Sequence, residues 1–86
     1  MKEEQSLDSI MIGLVFDYAC RALLGGGKGV YVMLQLYERS PELYRGFIEA
    51  ARKFLADKPG IDLEELDERY RQLQMIVGDL EKERSN

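Results

Sequence analysis

The chain has 86 residues, 45% of them hydrophobic and 33% charged, with a net charge of −4 and an isoelectric point near 4.8. That is enough for one domain with a small core, and too apolar for a disordered chain. The acidic balance argues against a nucleic-acid partner, whose binder gains affinity by neutralising phosphates, and the basic residues are scattered among carboxylates.

There is one cysteine, Cys20, and no histidine. A lone cysteine forms no internal disulfide, and without histidine the usual zinc sites cannot be assembled within the chain. Cys20 lies in an apolar run and reads as a small buried hydrophobe. Residues 1–9 are polar and acidic, unlike a signal peptide. The longest apolar run, IMIGLVF at 10–16, is far short of the ~20 residues that cross a bilayer. The expected location is cytoplasmic, with no membrane partner.

The punctuation predicts an all-α fold: one domain over 1–86, a small four-helix unit with short connections, frayed at 1–6 and 82–86. The first helix is expected over 7–24, capped by Ser6. Leu7, Ile10, Met11, Leu14, Val15, Tyr18 and Ala22 form one apolar stripe, and Ile12, Phe16, Ala19, Cys20 and Leu23 a second. Only the strip Ser9, Gly13, Asp17 and Arg21 is left, with Asp17 and Arg21 spaced for an i,i+4 pair. A helix apolar nearly all round needs cover on nearly all sides. Three short helices supply that with difficulty, so the pattern predicts a helical homo-oligomer, a dimer in the simplest case.

The second element, 29–39, reads two ways. Val30, Met33, Leu34 and Tyr37 fit a helix face, whereas Val30, Val32, Leu34 and Leu36 fit a strand. A lone strand would need another subunit for a partner, so a helix is the expectation. In the third helix Ser40 is the N-cap and Pro41 the first helical residue. Leu43, Phe47, Ala50, Ala51, Phe54 and Leu55 are its expected apolar stripe, Glu49 and Lys53 pair on the wet side, and Lys58-Pro59-Gly60 ends it. The fourth helix starts at Asp62, which has capping-box spacing to Glu65. Leu63, Leu66, Tyr70, Leu73, Val77 and Leu80 form a heptad seam, flanked by the pairs Glu65–Arg69 and Asp67–Arg71.

The stretch LGGGKGVYVM at 24–33 is the one that looks like a site. It is not a phosphate-binding Walker loop. Aligned on Gly27-Lys28, the motif's first glycine falls on Ala22 and its hydroxyl residue on Gly29. The dinucleotide fingerprint fails at Val30. The simple reading is a connector, with Gly25 ending the first helix and Gly26 to Gly29 turning the chain. The alternative is a weak anion or small-molecule site built from the backbone of Gly25, Gly26 and Gly27 with Lys28.

Asp17 on its apolar helix is weighed as a buried base and read instead as part of the exposed strip. Glu38, Arg39, Glu42 and Arg45 read as solvated charges around the Ser40-Pro41 junction. No nucleophile–base pair, metal cluster or cofactor motif is visible, so no catalytic residue, metal or cofactor is assigned. The expected function is a small oligomeric interaction or regulatory module. Its partner is itself, or another protein, through Ile10, Leu14, Leu66, Leu73, Val77 and Leu80. A ribbon-helix-helix DNA binder would need 30–36 to be a strand, and would offer only Gln35 to a base edge.

Overall fold

A computed structural model describes the backbone of residues 2–85 and the side chains of residues 9–84. It contains four helices, α1 (Lys2–Leu23), α2 (Gly27–Arg39), α3 (Pro41–Ala56) and α4 (Leu63–Ser85), and no strand among the described residues. The all-α expectation holds. Residues 30–37 are helical, which removes the ribbon-helix-helix reading. The buried positions of α2 are Gly29, Met33 and Tyr37, each one helical turn apart. Tyr31 and Gln35, which a strand would turn to the same side as Met33, are exposed.

α1 begins at Lys2 rather than near Leu7, so Ser6 lies inside the helix instead of capping it. Residues 2–5 are Lys, Glu, Glu and Gln, good helix formers whose acids suit the N-terminal end of the dipole. The backbone is helical at 82–85 as well. Met1 and Asn86 lie outside the described residues.

The connections are short because single residues serve two elements. Ser40 ends α2 by donating its N–H to Leu36 O at 2.8 Å, and starts α3 by accepting from Leu43 N–H at 3.3 Å. Its φ of −154° is extended backbone, suited to an N-cap ahead of Pro41. Gly60, at φ +87°, turns the chain after α3. Asp62 Oδ1 then accepts from the N–H groups of Glu64 at 3.0 Å and Glu65 at 3.3 Å.

α1, α2 and α3 form the main body, and α4 lies across it with fewer contacts. The core gathers Ala19, Ala22 and Leu23 of α1, Met33 and Tyr37 of α2, Tyr44, Ile48 and Leu55 of α3, and Leu66, Leu73 and Val77 of α4. The buried face of α3 is therefore Tyr44, Ile48, Ala51 and Leu55. Leu43, Ala50 and Phe54 of the expected stripe are exposed. α3 is apolar over a wide arc, and packing chose the edge that places Tyr44 against Tyr37, ring centroids 5.5 Å apart and edge to face.

The molecule is a slab, 42 × 39 × 19 Å. With helix axes spaced roughly 8–10 Å apart, that thickness holds no more than two helix layers. The radius of gyration is 13.8 Å, against about 12 Å for a compact chain of this length. Among the described residues no single helix is long and apolar enough to cross a membrane.

Tyr44 is almost fully buried, and its hydroxyl has no hydrogen-bond partner among the described residues. Burial, with smaller contributions from Tyr70, Tyr37 and Glu49, pushes its pKa from 10.0 up to about 12. The neutral phenol is the form that the fold tolerates. Its contribution is complete below pH 10.0 and is lost as pH rises through about 12. Tyr44→Phe should raise stability by about 1 kcal/mol at neutral pH, by removing an unpaired buried hydroxyl. It should also flatten the alkaline fall in stability, though not abolish it, because the Tyr37 and Tyr70 pKa values are raised too. Urea unfolding at neutral pH and near pH ~11 checks both.

Candidate functional site

The glycines at the α1–α2 connection have identifiable duties. Gly26 N–H donates to Arg21 O at 2.7 Å and Gly25 N–H to Ala22 O at 3.3 Å, the two bonds of a Schellman C-cap. Gly25 holds φ +94°, as that cap requires. A Cβ there would also stand 3.0 Å from the Arg69 guanidinium carbon of α4. Gly26 is at once the end of this cap and the N-cap of α2. Gly29 is buried in the helix crossing, where a Cβ would come within 2.6 Å of both Ala22 N and Tyr18 O. The expectation that 26–29 simply turn the chain is thus corrected: α2 begins at Gly27, and Gly29 is a packing residue.

Gly27 differs, since a Cβ there meets nothing within 4 Å. Lys28 beside it is exposed. The first turn of α2 has no acidic residue and no side-chain cap bond. Of the four proposed ligand residues, Gly25 and Gly26 already spend their N–H groups on α1. No buried polar side chain is aimed at Lys28 among the described residues.

The other candidates resolve into surface or scaffold. Asp17 Oδ2 pairs with Arg21 Nε at 2.9 Å, both side chains more than half exposed. Cys20 is buried, and burial followed by the Asp17 charge raises its thiol pKa, which disfavours the reactive thiolate. Among the described residues no three His, Cys, Asp or Glu side chains converge on a metal-sized space.

Two expected ion pairs give way to a clamp between α3 and α4. Arg52 lies 2.9 Å from Asp67 and 4.3 Å from the Tyr70 ring centroid, while Tyr70 donates its hydroxyl to Glu49. Asp67 and Glu49 are therefore taken by tertiary partners, and Arg71 turns to Glu68 at 3.4 Å. The Glu65–Arg69 pair forms as expected, at 3.6 Å. Around the Ser40 junction, Arg45 and the carbonyl of Glu38 face Glu81 and Arg84 of α4, at 3.9 and 3.4 Å.

The expected association residues separate into two groups. Leu66, Leu73 and Val77 are buried against α1–α3 of their own chain, and Leu80 is half-buried there. From Leu66 onward the heptad seam of α4 thus closes the protomer, while its first residue, Leu63, stays exposed. Ile10 and Leu14 are exposed, and they are not alone. Exposures are 58% for Ile10, 61% for Met11, 57% for Ile12 and 53% for Leu14. Met11 and Ile12 continue the lines of Val15, Ala19 and of Phe16, Leu23 in steps of four and seven, but among the described residues nothing covers them. Ile10 and Leu14 lie on the opposite side of the helix, toward Asp17 and Arg21.

Beside this uncovered end runs a groove of about 390 Å³, between Gly13 and Phe16 of α1 with Leu24 just after it, and Phe54 of α3 with Lys58 just after that helix. Phe16 and Phe54 meet edge to face at 5.4 Å, and the Lys58 ammonium lies 4.7 Å from the Phe54 ring centroid. The groove is not legible in the sequence, because it pairs residues some forty positions apart. Its one advance signal was Phe54, a large apolar residue close to the helix stop.

No protein-family model matches the chain, and no curated protein or solved structure does either.

If the glycines act as described, substitution to alanine should grade them. Gly29→Ala should cost about 3 kcal/mol by forcing α1 and α2 apart. Gly25→Ala should cost roughly 1–2 kcal/mol through its positive φ. Gly27→Ala should be neutral within about 0.5 kcal/mol. Thermal unfolding of the three variants gives the order.

Proposed function

We propose that this chain is a non-catalytic association module that works as a homo-oligomer of two copies, joined through the uncovered end of α1. One observation carries the reading. Four consecutive-turn apolar residues, Ile10, Met11, Ile12 and Leu14, are each more than half exposed. Together they present on the order of 500 Å² of apolar surface around one short stretch of helix, comparable to the largest patches that stable monomers leave uncovered. The slab is too thin to wrap α1, so cover has to come from outside the protomer. The buried thiol of Cys20, free of any disulfide, suits a reducing, cytoplasmic setting. The competing ligand reading of Gly25, Gly26, Gly27 and Lys28 draws less support, because three of the connection's four glycines already have structural duties.

Light scattering over a wide concentration range should return twice the chain mass of 9.9 kDa. Ile10→Glu and Leu14→Glu should each return the single-chain mass with helix content retained, since neither side chain is buried in the protomer. A wild-type chain that stays monomeric at every concentration would overturn the proposal.

A further inference from the structure

Gly13 has no explanation inside the protomer. Glycine disfavours a helix interior, and at Gly29 the structure shows why it is kept: another helix approaches to 2.6 Å of the absent Cβ. At Gly13 nothing lies within 4 Å. Gly46 and Gly78 are equally open, but each has two charged residues one turn away: Glu42 and Glu49 for Gly46, Glu81 and Lys82 for Gly78. Gly13 has one, Asp17, which is paired with Arg21, and exposed or half-exposed apolar ridges flank it on both sides. Ile10 and Leu14 form one ridge, Ile12 and Phe16 the other. Ser9 and Gly13 form a shallow trough between them, the shape that receives a second helix.

Resting on the self-association reading above, we infer that the occupant of this trough is the α1 of a second copy, antiparallel and crossing at Gly13. The sequence is self-complementary in that register. A two-fold axis at Gly13 brings each ridge against its own copy, so Ile10 meets the partner's Leu14 and Ile12 meets the partner's Phe16. Along the trough Ser9 meets the partner's Asp17, a hydroxyl donor facing a carboxylate. Each residue of the two ridges finds an apolar one, and the polar pair falls together.

Area agrees with the same occupant. Adding Leu24 and Phe54 to Ile10, Ile12 and Leu14 brings the exposed apolar surface to about 500 Å², close to the apolar share of the roughly 800 Å² that each partner of a standard interface contributes.

Disulfide trapping in a Cys20→Ala background tests the pairing. Gly13→Cys should link to its own copy at least about tenfold faster than Ser9→Cys or Asp17→Cys alone, because only a residue on the axis comes within disulfide reach. The latter two should link when mixed, since antiparallel pairing separates each from its own copy by about 12 Å along the helix. Gly13→Leu should keep the helix content of the wild type while weakening the dimer by about a hundredfold in light scattering. A wild-type dimer in which Ser9→Cys and Asp17→Cys each self-link as fast as Gly13→Cys, or in which Gly13→Cys does not link, would overturn this pairing and leave self-association standing. A wild-type monomer would remove both.

Discussion

The close crossing of α1 and α2 is the constraint from which the rest follows. A Cβ at Gly29 would come within 2.6 Å of the α1 backbone at both Tyr18 and Ala22. Ala22, small and almost fully covered, lies on the α1 side of that contact beside the Cβ of Arg21. Backbones so close leave little to tolerate, since interiors pack as densely as organic crystals. The chain bends by 120° between the two helices, and the Schellman cap at Gly25 and Gly26 makes that bend within three residues. Arg69, lying against Gly25, ties α4 to the same corner.

Placing the crossing near the C-terminal end of α1 has a cost at the other end. α2 and α3 cover α1 from about Val15 onward, while a helix that starts at Lys2 continues well beyond them. At ~1.5 Å per residue the overhang is about 18 Å or more. Its last part, Ile10, Met11, Ile12 and Leu14, is as apolar as the residues inside, whereas 2–9 are polar and acidic. The same helix is therefore core at one end and open surface at the other, with a change of role near Gly13 and Leu14. α4 does not remedy this, because its seam is spent on the body, and its flank is held by the Arg52–Asp67 and Tyr70–Glu49 clamp.

Helix number, type and punctuation were legible in the chain. Ser40-Pro41, Lys58-Pro59-Gly60 and Asp62 mark boundaries through local chemistry: a side-chain oxygen accepting an orphan N–H, a ring that pre-sets φ, a residue free to take positive φ. The Asp17–Arg21 and Glu65–Arg69 pairs were legible for the same reason, being one turn apart on one helix. Asp67 and Glu49 were not, because partners on a neighbouring helix outcompeted the local ones. The glycine connection was half legible. A cap at Gly25 follows from sequence, whereas the duty of Gly29 depends on another helix lying against it.

What the sequence by itself determined was the local part: four helices, their caps, and a first helix with more apolar surface than so short a chain can cover. Only the tertiary structure decided how that surplus is shared out. It committed Leu66, Leu73 and Val77 to the interior and left Ile10, Met11, Ile12 and Leu14 outside. It also turned α3 on to Tyr44 and Ile48 rather than Leu43 and Phe54. The reason is physical. Hydrophobic patterning says that a face seeks cover, but burial is non-directional. Which face is covered, and by what, is set by where two backbones can approach most closely, and here that place is Gly29.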